Sequence, residues 1–213
     1  MAYIGNKPAN KAIVASDLDP AVITGQTALA VAPADTDEFL ISDAGVLKRL
    51  DASLIGGGKI AQAVTTTKTD TYSVTSDGTF YNPTSFSRTI TPSATSSKIL
   101  VMVTANVSCT TNYETGGKII RTVSSSDAET LRGDAASNRT RTFMAKRSNE
   151  AQDFANYTMI ILDSPSTTSE ITYKPMFATE SSATLYLNRG HNDSDNSGEY
   201  RAASSIVCME VLA

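Results

Sequence analysis

Short apolar runs alternate with polar turns along most of the chain after residue 70. Nine stretches show the period-two alternation or the β-branched enrichment that is typical of strands. Turn residues such as Asn82-Pro83 and Asp163-Ser-Pro165 separate these stretches. The pattern predicts strands at Asp70–Thr75, Phe86–Thr91, Lys98–Cys109, Gly117–Val123, Arg139–Lys146, Phe154–Leu162, Glu170–Ala178, Ala183–Asn188 and Ser204–Leu212.

Strands of this number and spacing predict an all-β protein with an antiparallel β-sandwich of the jelly-roll kind at its C-terminal end. Two runs, Lys98–Val103 and Met159–Leu162, are apolar at successive positions, so that both faces of each strand would be apolar. One face of such a strand fills the core, and the other needs cover from a neighbouring subunit or from other strands. We therefore expect this sandwich to associate with further chains.

The sequence upstream has a different pattern. Residues 1–55 contain only short apolar clusters broken by Asp-Pro and Ala-Pro, too few for an independent core, so we expect an extended segment that gains order against a partner. Within it, Glu38–Asp43 and Val46–Leu50 flank Ala44-Gly45 and predict a small hairpin, which is marginal in water by itself. The glycines at 56–58 indicate a linker, assigned to residues 56–69, before a head domain at 70–213.

Composition narrows the function classes. Ser and Thr make up about a quarter of the 213 residues, and the net charge is −4 without a basic stripe, which argues against nucleic-acid binding. No apolar stretch is long enough for a membrane span, and the start lacks the pattern of a secretory signal, so synthesis in a reducing cytosol is expected. Cys109 and Cys208 lie in apolar runs typical of buried thiols, although the sequence leaves their pairing open.

Few residues suggest chemistry. The single histidine, His191, lies in a polar loop without a serine nucleophile motif, which favours a surface contact over a general base. Asp193 and Asp195 have the spacing of half a calcium loop, but Ser204 stands where a bidentate Glu is needed, so a solvated turn is the alternative. No pair of carboxylates stands out. We therefore assign no catalytic residue, cofactor or metal ligand and expect a non-enzymatic protein.

Several stretches carry a family resemblance. Residues 2–8, which read Ala-Tyr-Ile-Gly-Asn-Lys-Pro, and residues 34–51, which include the predicted hairpin, resemble the N-terminal part of virion fibre proteins from tailed phages of marine bacteria. Residues 133–141, 162–173 and 201–211 are similar to the C-terminal domain of such fibres. The resemblance is at the level of the family, and it implies an N-terminal part attached to the particle and a trimeric C-terminal knob that projects outward.

On this resemblance we expect a subunit of a short tail fibre or head fibre, assembled in the host cytoplasm and located in the virion. Its partners would be further copies of itself, tail, portal-adaptor or capsid proteins, and a host surface glycan or protein. The candidate attachment residues are Tyr3, Ile4, Phe39, Leu40 and Ile41, and the candidate receptor contacts are Tyr113, His191, Asp193, Asp195 and Tyr200. The alternatives are a passive decoration or adaptor protein, and a lectin or glycan depolymerase.

Overall fold

The computed structural model describes residues 21–25, 27, 29–31, 33–34, 36–55, 59–110, 112–150 and 153–212. The chain divides into two compact units, Met1–Gly57 and Gly58–Ala213. The first unit contains a two-stranded sheet, and the second contains a six-stranded and a five-stranded sheet.

The first unit is built around the predicted hairpin, which the structure confirms. Strands β1 (Glu38–Asp43) and β2 (Val46–Asp51) pair in antiparallel register, and a 3₁₀ turn follows at Ala52–Leu54. Ala44 and Gly45, with φ of 50° and 82°, form the left-handed two-residue turn that matches strand twist in a hairpin.

One part of this unit differs from the extended segment that the sequence predicted. Ala21–Thr24 forms a single helical turn, α1, which the Gly25 amide closes by donating to the Ala21 carbonyl at 2.9 Å. Pro20 precedes the turn in the sequence, and a proline with its fixed φ favours the start of a helix. In the parts of the chain that the structure describes, no helix is long and apolar enough to cross a membrane.

The second unit is an all-β sandwich, as predicted. Its strands are β3 (Ile60–Lys68), β4 (Tyr72–Ser76), β5 (Arg88–Ile90), β6 (Lys98–Cys109), β7 (Glu114–Val123), β8 (Ser126–Glu129), β9 (Met144–Arg147), β10 (Ala155–Asp163), β11 (Ile171–Thr179), β12 (Ala183–Leu187) and β13 (Ser204–Val211). Every pairing between them is antiparallel.

Sheet I, the six-stranded sheet, is organised around the long strand β6. One edge of β6 pairs with β10, while the other edge pairs first with β13 and then with β12. Strand β3 pairs with β13, and β4 pairs with β12. Two strands therefore lie end to end along one edge of β6.

Sheet II, the five-stranded sheet, is organised around β7 and β11, which pair over nine register positions. Strand β5 pairs with β11, and both β8 and β9 pair with β7. Inward side chains of both sheets form one apolar cluster because alternate residues of a strand point to the same face. Its fully buried members include Phe86, Val101, Val103, Ile119, Met159, Ile171, Tyr173, Phe177, Leu185 and Ile206.

Two groups of polar side chains lie inside the sandwich. Arg121 of β7 and the Tyr173 hydroxyl of β11 both donate to Asp163 of β10, and this network links sheet II to sheet I. Glu210 of β13 is fully buried and accepts hydrogen bonds from the Gln62 amide and from the backbone and hydroxyl of Ser93. Both carboxylates are therefore matched by donors, as buried charges require.

The structure corrects three strand assignments. Residues 60–68, assigned to the linker, form β3, because Ile60–Lys68 pairs with β13 along its whole length. The strand predicted at Arg139–Lys146 begins only at Met144. The backbone before Met144 makes turn and loop hydrogen bonds in place of a strand ladder: the Arg139 amide donates to the Ala136 carbonyl, and the Gly133 amide donates to the Thr142 carbonyl. The short strand β8 has no counterpart in the prediction. The glycines at 56–58 lie outside the described residues.

Candidate functional site

The main candidate site is the long loop at residues 188–203, between β12 and β13. Asn188 begins the loop with a left-handed φ of 63° and is fully buried. Its side-chain amide donates to the carbonyls of Lys68 and Asp70 at 2.8 and 2.9 Å, and its Oδ1 accepts from the Ser204 hydroxyl at 2.6 Å. Asparagine tolerates this backbone region better than other side chains, so one residue both turns the chain and fixes both ends of the loop.

The loop packs onto Tyr186, which alternates outward from the buried residues Leu185 and Leu187 of β12. The Arg189 guanidinium lies 4.1 Å from the centre of the Tyr186 ring. The His191 ring is stacked on the same ring, with centroids 5.5 Å apart and an interplanar angle of 19°. Its Nδ1 is buried and has no hydrogen-bond partner. His191 is thus positioned by ring stacking on the outer side of sheet I.

Asp193 holds the two strands of the loop together. Its carboxylate lies 2.6 Å from Arg201 and 3.7 Å from Arg189, and these two arginines form an isolated antiparallel bridge with each other. Two guanidinium groups therefore satisfy the carboxylate that the calcium hypothesis required. Within the described part of the chain, no group of three His, Cys, Asp or Glu side chains is arranged to hold a metal ion.

The tip of the loop is a polar turn. The Asn196 side chain accepts from the Gly198 amide at 2.8 Å, and the Glu199 amide donates to the Asn196 carbonyl. Asp195 is exposed, and Tyr200 has 76% of its surface in solvent. A largely exposed tyrosine beside a fixed turn offers an apolar ring and a hydroxyl to a binding partner at low entropic cost.

The structure brings four of the five predicted contact residues into this one loop. Tyr113 instead lies in the connection between β6 and β7, where its carbonyl accepts from the Ser148 amide at 2.9 Å and from the Cys109 thiol at 3.2 Å. Its side chain is half-buried. Sequence reasoning missed Tyr186 and Arg189 as members of the site, because only the folded loop brings their side chains onto His191.

The predicted attachment residues fall in the first unit. Phe39, Leu40 and Val46 expose 41%, 73% and 58% of their surfaces, whereas Ile41 is half-buried. Tyr3 and Ile4 lie outside the described residues. Phe39 and Val46 lie on one face of the two-stranded sheet and Leu40 on the other, because Val46 pairs with Asp43 and Leu40 pairs with Arg49. A sheet of two strands has too few contacts for independent stability.

Sequence reasoning also missed a cleft at one end of the sandwich unit. It has a volume of about 390 Å³, and its lining includes Phe80, Glu114, Arg139, Thr142 and Glu180. The Glu114 amide donates to the Glu180 carboxylate at 3.2 Å, and the Phe80 ring is already covered by the Lys118 ammonium at 4.2 Å. The lining residues are spread over about a hundred positions, so no sequence motif could indicate them.

The two cysteines are separate, buried thiols. Cys208 pairs in register with Val101 of β6, whereas Cys109 lies eight residues further along that strand. At about 3.3 Å per residue the separation is about 26 Å, far beyond the roughly 7 Å that a disulfide allows between Cα atoms. Burial raises the pKa of Cys208 to about 12 and also raises that of Cys109, so neither thiol has nucleophilic character.

No protein-family model and no curated protein sequence matches the chain. Among solved structures, the infectious bursal disease virus Gt strain aligns with 80% of this chain at 15% identity and a TM-score of 0.38. The Gx strain of this virus aligns with 80% of this chain at 16% identity and a TM-score of 0.40. The VP2 subviral particle of the same virus aligns with 80% at 12% identity and a TM-score of 0.34. The chain spans only 40–41% of the length of those chains, and likeness at this level carries no information on function.

Proposed function

We propose that this chain is a structural fibre subunit of a phage particle. In this proposal the first unit attaches the chain to the virion, and the sandwich unit forms a trimeric knob that projects outward and contacts the host surface. The protein would act by binding alone, without catalysis. The proposal rests on the two-unit organisation of the chain and on the sequence resemblance to fibre proteins.

The hairpin of the first unit is the observation that carries the proposal. Leu40 and Val46 expose more than half of their surfaces on a sheet that has only two strands. Burying one such side chain against a partner would contribute about 1.5–3 kcal/mol. A small unit with exposed apolar side chains, joined to a sandwich with its own core, is the arrangement expected of an attachment element and a head.

Attachment can be tested with the phage that encodes the chain, after deletion of the gene and complementation with full-length variants. We expect Leu40→Lys to abolish incorporation into purified particles, measured by quantitative mass spectrometry. Leu131→Lys is the matched control, because Leu131 is an exposed leucine of the sandwich unit. Normal incorporation of Leu40→Lys would contradict attachment through the hairpin, and absence of the wild-type chain from particles would contradict the whole proposal.

Host contact is tested separately with fluorescently labelled full-length protein and host cells. We expect saturable binding that Tyr200→Ala weakens, since the exposed ring of Tyr200 lies beside the fixed turn at Gly198. Leu131→Lys again serves as the control. A full-length protein that incorporates into particles but binds no cells would favour the passive decoration or adaptor role, and release of reducing sugar from host polysaccharide would favour a depolymerase.

A further inference from the structure

The outer surface of sheet I is apolar over its central strands. Outward positions alternate with the buried core residues of β6, β10 and β13. In register, Leu100 lies between Leu162 and Met209, and Met102 lies between Ile160 and Val207. These six residues form two adjacent rows across three strands, which we call the apolar face.

The apolar face is open to solvent in the isolated chain. Ile160 and Leu162, on the edge strand β10, expose 51% and 54% of their surfaces. The other four residues are half-buried by their neighbours on the sheet. Beyond β13 the surface continues on β3 with small or β-branched residues, which are Ala61, Ala63 and Thr65. An apolar patch of this extent marks an interaction surface more often than a solvated one.

The outer surface of sheet II provides an internal comparison. There Lys118 pairs with Glu129 at 2.7 Å, and Lys174 pairs with Asp127 at 3.0 Å. By contrast, Lys98 is the single charged residue among the outward positions of β3, β6, β10 and β13, all of which the structure describes. The outer surface of sheet II thus carries paired charges, whereas the outward positions of these four strands of sheet I carry a single charge, that of Lys98.

We propose that the apolar face packs against further copies of this chain at the axis of the trimer. This inference rests on the trimer of the proposed function and assigns its contact surface. The six residues of the apolar face carry no charge, so a copy of this face brings no unpaired ion into the interface. A partner with a charged surface would lose solvation there without finding an opposite charge.

The size of the face agrees with this occupant. The apolar face lies within the outward surface of β3, β6, β10 and β13. Four strands spaced about 4.8 Å apart and about seven residues of 3.3 Å give this whole surface a projected area of roughly 440 Å². Side chains that stand out from the sheet give an accessible area above this projection. A specific interface buries at least about 500 Å² on each partner. The four-strand surface that contains the apolar face is therefore close to the lower limit of a specific interface.

The experiment uses the full-length chain at a fixed micromolar concentration. We compare the wild type, the double variant Ile160→Lys with Leu162→Lys, and a control double variant on the outer surface of sheet II. The control is Thr89→Lys with Thr172→Lys, two residues that pair across β5 and β11. Multi-angle light scattering after size exclusion measures the mass of each, and circular dichroism monitors folding. We expect a trimer for the wild type and control and a folded monomer, with a threefold lower mass, for the Ile160 and Leu162 variant.

A second variant keeps the test decisive if the lysines disturb folding. Leu162→Cys is expected to form intermolecular disulfides under mild oxidation, whereas Thr172→Cys is not, because Thr172 lies on the outer surface of sheet II. The two native thiols are buried and do not take part. A trimer that survives the two lysines and shows no Leu162→Cys cross-link overturns the apolar face as the interface and leaves the fibre proposal intact. A monomeric wild type would contradict the trimer. A wild-type dimer that the two lysines dissociate would support the apolar face as the contact surface and contradict the trimer.

Discussion

Replacing Asp163 with alanine is expected to destabilise the sandwich unit by about 3 kcal/mol. The Arg121 Nη1 lies 2.9 Å from both carboxylate oxygens of Asp163, and the Tyr173 hydroxyl donates to the same carboxylate at 2.7 Å. Burial, together with the hydrogen bond to Asp163, raises the pKa of Tyr173, so the hydroxyl keeps its proton and stays a donor. The carboxylate is therefore the shared acceptor of two groups from sheet II.

The magnitude follows from burial. Breaking a buried ion pair costs about 3–5 kcal/mol, because the remaining charge is left without a partner. The side chains of Asp163 and Arg121 are 11% and 24% exposed, so water can partly solvate the guanidinium after the substitution. We therefore take the lower end of that range, about 3 kcal/mol.

Asp127→Ala is the matched control, because Asp127 pairs with Lys174 at 3.0 Å, nearly the same distance, but is 55% exposed. An exposed pair contributes about 0–1 kcal/mol, so this variant should unfold almost like the wild type. Urea unfolding followed by circular dichroism, at one protein concentration, measures both variants. With a slope of about 2 kcal/mol per molar urea, Asp163→Ala should lower the midpoint by about 1.5 M. Equal midpoints for the two variants would refute the argument from burial.

Three further predictions concern buried groups. Burial raises the pKa of Glu210, but its hydrogen bonds outweigh burial and lower it to about 2 from 4.5, so its stabilising effect is complete above pH 4.5 and is lost towards pH 2. Glu210→Gln should therefore lower the melting temperature at pH 7 by more than at pH 3. A thiol reagent at pH 8 should label Cys109 and Cys208 only in the unfolded protein, and rapid labelling of the folded protein would contradict their burial. Asn188→Gly should lower the free energy of unfolding, because it removes the side-chain hydrogen bonds. Asn188→Ala should lower it by about 1–2 kcal/mol more, measured by urea unfolding, because alanine is strained in the left-handed backbone conformation. Equal losses would show that backbone strain is unimportant there.

Hydrophobic patterning predicted the strands with strong local signals. The bounds of β6 are those predicted, because an apolar run at 99–103 is followed by alternating polar and apolar residues up to Cys109. Strand β3 was missed, since its alternate positions are small residues and threonines that resemble a linker until β13 pairs with them. The short strand β8 is polar and pairs only with the end of β7, so it has no apolar signal.

The candidate loop could be predicted as a loop, but its internal contacts could not. Turn residues at 192–198 indicated a polar connection that contains His191. Nothing local indicated that Asp193 pairs with Arg201 or that Asn188 bonds to the carbonyl of Lys68, which is 120 residues away. Contacts of this kind depend on strand pairing, and a periodic pattern does not specify which strands meet.

The end-to-end placement of β12 and β13 also determines where the chain can change in length. Leu187 pairs with Val107 and Ser205 pairs with Thr104, so the two ends of the 188–203 loop lie about 10 Å apart on the same strand. Residues added or removed at 194–199 leave every ladder pair of sheet I unchanged, provided that Asn188 and Ser204 stay. This loop is therefore a position where variants of the protein can acquire different binding surfaces on a constant sandwich.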